Sequence, residues 1–518
     1  MRMNRGILTN SFWYGLEMSA DIIFGALTSI AIARVIGPEA LGHFVYLVFL
    51  TNVAGKLGGL GVATAVKKYL AEHLGRGETG LARAVFYASL RMQAVLAVAI
   101  PLGGIALVLL LGAPERHLMS CLLVLAIAPG LLSAIPALAN VAAQNFARNV
   151  PGALSGLVAY AVTVAFSLTL GWGLVGLAAA VLLRRTVELS VRLWPAIRWI
   201  NRLPQVKPPE GLNRKLLAFS GQSLAVTLLM VVVWDRSELL FLKQFSSAAE
   251  LAFYTVAFGL TEQILMLPNV FSGAIGAALM GEYAADRARA GKRASDAVRH
   301  LALLVFPIHA GLALMSSPAI RLAYGSAYIP AIPVLSIAVL LGIPKAFFWL
   351  PTSIYQAADR QVTMFRWLLV AAAVNIGLDA LLIPRFGSVG AALANGLSQS
   401  FAVFATWRVA ALLCGLVMPW NSVRRVALSA LLMAAAVLPL ILLLPPLPAL
   451  LCGIPAGVVL YGLLLRLLRV VNEEDLRAME SIVLRLPRPA QLPLRRVVRL
   501  LVASPGPGAP HLEEEIRA

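Results

Sequence analysis

Charge is what this chain has least of. Asp, Glu, Lys and Arg make up only 13% of its 518 residues, roughly half the share of a soluble domain. Cysteine is scarce too. Its three copies, Cys121, Cys414 and Cys452, each lie in or beside an apolar run, which reads as small packing residues and not as a disulfide framework or a thiolate metal set. No Gly-x-x-x-x-Gly-Lys-Ser/Thr loop is present, which argues against an ATP-driven pump. There is no zinc-finger spacing and no compact basic domain, so the net charge of +19 does not read as nucleic-acid binding. The first apolar run lacks a small-residue cleavage site and is expected to be a retained helix, not a removed signal peptide.

What is present is apolar. Hydrophobic residues are 60% of the chain and the mean hydropathy is +0.84, so the surplus must face lipid. Runs of about 18 or more apolar residues mark membrane spans. They predict an all-α polytopic membrane protein with about fourteen spans, near 10–33, 41–64, 84–112, 118–140, 150–171, 173–197, 216–242, 251–281, 298–320, 331–357, 364–384, 387–410, 423–444 and 449–468. With the N-terminus inside, the inner connections hold Lys67, Lys68, Arg76, Arg83 and Arg148, the set from Arg198 to Lys215, and the set from Arg287 to Arg299. They also hold Arg360, Arg424 and Arg425. The outer connections carry one base each in five loops: Arg34, Arg116, Lys243, Arg321 and Arg385. That bias predicts an N-in, C-in topology.

The longest inner loops are expected around 199–215 and 282–297. The first contains Pro204, Pro208 and Pro209 and reads as a linker. The domain plan is then an N-terminal lobe over 1–198, a linker over 199–215, a second lobe over 216–415, an added helix pair over 416–469 and a cytoplasmic basic tail over 470–518. In the tail, Asn472 to Asp475 resembles a helix cap with an acidic first turn. Pro487 to Leu501 alternates bases with Leu and Val in a way that suits an anionic inner leaflet, or a disordered tail.

The lobes repeat one another. Trp172-Gly-Leu-Val-Gly-Leu-Ala-Ala-Ala180 opens the sixth span and Phe386-Gly-Ser-Val-Gly-Ala-Ala-Leu-Ala394 the twelfth, with Gly173 and Gly176 in register with Gly387 and Gly390. Tyr69 and Tyr283 follow similar small-residue runs, and Arg34 to Phe44 matches Lys243 to Tyr254. Six spans per lobe, both starting inside, make a parallel repeat, a plan transporters use with the substrate between the lobes.

Ala33-Arg-Val-Ile-Gly-Pro-Glu-Ala-Leu-Gly-His-Phe44, Gly58-Gly-Leu-Gly61, Ala65 to Tyr69, Asp235 to Leu242, Tyr254-Thr-Val-Ala257, Pro268, Ile332-Pro-Val-Leu335, Asn375-Ile-Gly-Leu378 and Gly387 to Ala394 together resemble a known family. It is that of the bacterial polysaccharide-transporter (Wzx-like) flippases of the multidrug/oligosaccharidyl-lipid/polysaccharide (MOP) exporter superfamily. The likeness runs over about residues 5–470. It implies two six-helix lobes around a V-shaped central cavity, plus the extra helix pair, in the bacterial cytoplasmic membrane. It also implies a lipid-linked oligosaccharide as substrate, carried on undecaprenyl diphosphate from the inner to the outer leaflet. Glycosyltransferases and a glycan polymerase are the partners it brings to mind, and no cofactor beyond a coupling proton or sodium ion is expected.

Charges at membrane depth are costly and mark functional candidates. The bases expected within spans are Lys56, Arg91, Arg236 and Lys345, which suit a diphosphate head group. Arg91, near the inner end of its span, also suits snorkelling. Trp349, Thr352 and Gln356 share a helical face with Lys345 and suit a sugar. Among the acids, Glu17 and Asp21 are four residues apart on one face, and two close carboxylates call for a neutralising base or a bound proton or cation. A bridge from Lys56 or Arg34 is the rival to ion coupling there. Asp235 with Glu238, and then Glu262 and Asp379, are further coupling candidates. The other functions weighed are a multidrug or small-cation exporter of the same superfamily, whose cavity should be acidic and aromatic, and a membrane glycan polymerase or ligase, which needs sizeable outer loops.

Overall fold

The computed structural model describes residues 2–471; the cap at Asn472 and the amphipathic stretch from Pro487 lie outside the described residues. Among those residues every regular element is helical. The helices are α1 (Arg2–Gly58), α2 (Val62–Gly75), α3 (Thr79–Leu111), α4 (His117–Leu125), α5 (Ile127–Ala142), α6 (Val150–Thr169), α7 (Gly173–Ile200) and α8 (Leu212–Trp234). They continue with α9 (Glu238–Phe245), α10 (Ala248–Ala285), α11 (Arg287–Ala323), α12 (Ala331–Leu341), α13 (Trp349–Ala357), α14 (Gln361–Cys414), α15 (Trp420–Leu443) and α16 (Pro446–Leu467). Ten helical segments among the described residues are long and apolar enough to cross a membrane. Their outward faces carry bare apolar side chains: Leu110 is 80% exposed, Leu412 81% and Leu443 81%. In water such surface would drive association; in lipid it is matched by its surroundings. This is a multi-pass membrane protein.

Two pairs of predicted spans are joined end to end. Residues 10–33 and 41–64 fall largely in α1, which kinks at Gly37 (φ 75°, ψ 172°), just before Pro38. A positive φ favours glycine, and the proline that follows has no N–H to continue the ladder. Residues 364–384 and 387–410 are likewise one helical run, α14, kinked at Gly387 (φ 53°, ψ −131°). Here Glu250 Oε2 accepts from the freed Ser388 N–H at 2.8 Å.

Four predicted spans are interrupted; 118–140 is broken only at Ala126, between α4 and α5. The span 41–64 stops at Gly58, because Leu60 (φ 48°) and Gly61 (φ 72°) turn the chain before α2. The span 216–242 breaks after Trp234, where Asp235 is extended (ψ −169°), and resumes as α9. The span 331–357 is split by a 3₁₀ turn over Pro344–Phe347, with Pro344 at its start, where its missing N–H costs no hydrogen bond. In contrast, the inner loop expected over 282–297 is mostly helix. Asp286 is the reason: its Oδ1 accepts from the N–H groups of Ala288 (2.9 Å) and Arg289 (3.1 Å), an N-cap that starts α11 at once.

The chain divides into two compact units. The first holds the chain up to Gln263 with Tyr324–Val334 and Phe365–Gln399; the second holds Ile264–Ala323, Leu335–Met364 and the chain from Ser400. In the first, α2, α3, α5, α7 and α8 share a core around Leu70, Phe86, Ile135 and Ile200. The loop after α7 is tied to α3, since Arg83 Nη1 donates to Leu203 O at 2.8 Å and Tyr87 Oη to Asn201 Oδ1 at 2.7 Å. In the second unit α11, α15 and α16 enclose an apolar cavity of about 580 Å³ lined by Met315, Met433 and Tyr461 among others.

Candidate functional site

The first unit gathers its membrane-depth charges into three places. One joins α1 to α7. Arg192 Nη2 donates to Glu17 Oε1 at 3.0 Å and Arg184 Nη2 to Asp21 Oδ1 at 2.6 Å. Between them Glu188, only 3% exposed, accepts from Arg184 Nε at 2.9 Å and faces Arg185 at 3.5 Å and Arg192 at 3.7 Å. Three acids meet three bases. Gly152 of α6 makes room: a Cβ there would lie 2.8 Å from Arg192 Nε. The pairing expected for Glu17 and Asp21 from Lys56 or Arg34 is instead made by the charges of α7, which are not among the predicted candidates. Residues 184, 188 and 192 recur at four-residue steps on one face, and that was the available signal.

The second place is the break between α8 and α9. A cavity of about 390 Å³ opens there, lined by Asn52, Lys56, Asp235, Arg236, Phe258 and Glu262 with four apolar residues and Trp234. Lys56 Nζ is ion-paired to Asp235. The Arg236 guanidinium stands 5.0 Å from the Phe258 ring centre, a cation–π distance. The interruption is what the charges need: an unwound segment at membrane depth is tolerated where it lines a cavity.

The third is buried behind that break. Glu238 is 0% exposed. Its Oε1 accepts from Asn395 Nδ2 at 2.6 Å and Asn375 Nδ2 at 3.3 Å, and its Oε2 from Tyr254 Oη at 2.9 Å. Asn375 is itself fixed by Ser237 Oγ at 3.2 Å and Ser398 Oγ at 3.0 Å. Asp379, one turn beyond Asn375, lies within electrostatic reach of Glu238. It is fully buried, and neither of its oxygens accepts a hydrogen bond from the described residues. Tyr254 was not in the predicted set, and nothing in one dimension places it beside Glu238; Asn395, four residues before Gln399, is a polar position in its span and here makes an interhelical hydrogen bond.

The remaining candidates lie apart. Arg91 is exposed on α3 and its Nε donates to Tyr87 O at 3.3 Å. Lys345 is in the 3₁₀ turn before α13, so it leaves the helical register that Trp349, Thr352 and Gln356 keep; Trp349 and Gln356 are exposed, and Thr352 is buried. These four belong to the second unit. Among the described residues no group of three or more His, Cys, Asp or Glu is arranged to hold a metal ion.

Known proteins resemble this chain in both sequence and fold. A family model described as polysaccharide biosynthesis protein matches residues 31–333, more than half of the chain. The succinoglycan biosynthesis transport protein ExoT of Rhizobium meliloti (strain 1021) is 22% identical over 400 residues, 76% of each chain. Among solved structures, the lipid II flippase MurJ in an inward closed conformation superposes with a TM-score of 0.71 at 14% identity, over 87% of this chain and 97% of that one. An inward-facing multidrug resistance MATE family transporter of the MOP superfamily gives 0.65 at 14% identity, over 76% and 94%.

Proposed function

The chain belongs to the polysaccharide biosynthesis protein family, among the polysaccharide transporters of the MOP superfamily, and from that premise we propose that it is a flippase for lipid-linked oligosaccharides. It moves an undecaprenyl-diphosphate-linked glycan from the inner to the outer leaflet of the bacterial cytoplasmic membrane by alternating access. The observation that carries this reading is a charged cavity within an apolar body, with Lys56 and Arg236 on its wall. A diphosphate leaving water needs charge-assisted donors, and these supply them; Lys345, Arg91, Trp349 and Gln356 lie outside this cavity's lining and are proposed for the same substrate on their residue types alone. Asp235, Glu262 and Phe258 in that cavity favour a second reading, a multidrug exporter, and the substrate separates the two. Neutralising Lys56, Arg236 or Lys345 should lower surface polysaccharide in the producing strain by roughly tenfold, the worth of one charged hydrogen bond, while membrane insertion is retained. Normal polysaccharide from all three neutral variants would sink the diphosphate assignment.

Dividing α1 and α14 at their kinks and adding α7 and α8 brings the ten apolar segments to fourteen spans, the number expected from the sequence, and this supports two six-helix lobes with an added pair and both termini inside. In sealed cells, cysteines placed at 113–117 should react with an impermeant maleimide and those at Arg198 or Arg289 should not. The reverse pattern would invert the topology. Ion coupling is assigned to Glu238 and Asp379. Glu17 and Asp21 have arginine partners that balance their charge, whereas the hydrogen-bond donors around Glu238 are neutral, and a proton or sodium ion completes the balance.

A further inference from the structure

A separate cavity of about 350 Å³, lying wholly within the first unit, is lined by Asn52, Lys56, Gln93, Arg185 and the threonines 51, 64 and 227 among apolar residues and glycines. Among the described residues no Asp or Glu lines it. The adjoining cavity shares Asn52 and Lys56 but sets Asp235 and Glu262 against its two bases. The acid-free cavity is therefore the more favourable one for an anion. Gln93 adds an independent sign. It is 1% exposed, and its Oε1 has no hydrogen-bond partner. Burying an acceptor without a partner is costly; that Oε1 can accept from a sugar hydroxyl, while the Nε2 of the same amide can donate to a phosphate oxygen. Arg185, absent from the predicted bases, reaches Glu188 Oε2 only at 3.5 Å, whereas Arg184 Nε holds Oε1 at 2.9 Å. Its guanidinium carries five N–H donors, more than one long contact employs.

We propose that the phosphate groups of the transported lipid bind between Lys56 and Arg185, with Gln93 against the phosphate–sugar junction. This rests on the flippase reading and moves its anion site from Arg236 to Arg185. It also gives the Lys56–Asp235 ion pair a role. Lys56 lines both cavities, and an anion of two phosphates competes with a single carboxylate for its ammonium. Loading the acid-free cavity then releases Asp235 in the other, so occupancy is communicated across the break between α8 and α9.

The test is binding of undecaprenyl diphosphate, with undecaprenol and inorganic pyrophosphate as comparison probes, to the full chain in nanodiscs. Lys56→Gln and Arg185→Gln should each weaken undecaprenyl diphosphate roughly tenfold or more, as loss of a charged hydrogen bond does, and leave undecaprenol binding as it was. Arg185→Lys should recover part of the loss. Gln93→Glu places a carboxylate in the cavity without touching any ion pair and should weaken binding at least as much, which keeps the proposal testable should Arg185→Gln fail to fold. Pyrophosphate should bind far more weakly than the lipid; equal affinity would assign the site to a soluble anion and overturn the proposal. If the parent protein binds no undecaprenyl diphosphate, the flippase reading falls and this subsite with it. If the parent binds while Arg185→Gln and Gln93→Glu bind as tightly, the flippase stands and the subsite is wrong.

Discussion

Glu188→Leu should prevent the chain from accumulating as a folded membrane protein. Glu188 sits at the centre of the α1–α7 network, in contact with Arg184, Arg185 and Arg192. Leucine fills the space but leaves three guanidinium groups sharing two carboxylates. Removing one partner from a buried ion network costs about 3–5 kcal/mol, because the charges left behind are desolvated and unpaired. That is comparable with a large fraction of a domain's whole stability. Size-exclusion traces after heating solubilised membranes would read the loss. A control defines the scale: Glu72→Ala breaks an exposed pair with Arg76 on α2 and should change stability by less than about 1 kcal/mol. If Glu188→Leu melts like the parent, the network is ornamental and Glu17 and Asp21 return as candidates for ion coupling.

The second large effect concerns the buried acids. Glu238→Gln with Asp379→Asn should abolish the response of transport to a proton or sodium gradient. Glu238 is held by Tyr254, Asn375 and Asn395, all neutral donors, and Asp379 is buried beside it without a hydrogen bond. Arg236 is within electrostatic reach, but Asp235 and Glu262 draw on it as well. Two carboxylates in a low dielectric repel when both are ionised, and on the proposed coupling the pair takes up a cation or proton in at least one state of the cycle. Unequal affinity for that ion in the two states is what a gradient acts upon. In proteoliposomes the double variant should run at the rate the parent shows without a gradient, and should still bind the lipid-linked glycan. Gradient-driven transport that survives in the double variant removes this site from the mechanism.

Hydropathy placed the helices because lipid imposes a single requirement, an apolar run of sufficient length. Gly37-Pro38 and Gly387 marked boundaries that the structure keeps as kinks, because only the local backbone is at stake there. The break at Asp235 was less legible. Its charges were read as points on a continuous helix, although Asp-Arg-Ser-Glu inside an apolar span is itself a reason for the helix to open. In the sixth predicted span, 173–197, the apolar start dominates the pattern, yet Arg184, Glu188 and Arg192 define a face by their spacing and Arg185 lies beside it. Partners were the true limit. Periodicity says which side of a helix a carboxylate occupies; it does not say that Arg192 lies opposite Glu17, or that Tyr254 and Asn395 close around Glu238, because those are facts about packing between helices far apart in the chain.

The central claim is a substrate and a direction, and a leaflet-accessibility measurement addresses both. Proteoliposomes containing the full chain would be loaded with undecaprenyl-diphosphate-linked oligosaccharide, and the fraction of glycan open to an external glycan-binding probe followed in time. The account predicts that glycan moves between leaflets with this protein, faster with an imposed ion gradient, and at least about tenfold more slowly with Lys56→Gln. Liposomes that leave the glycan where it began, while the same protein exports small organic cations, would contradict it.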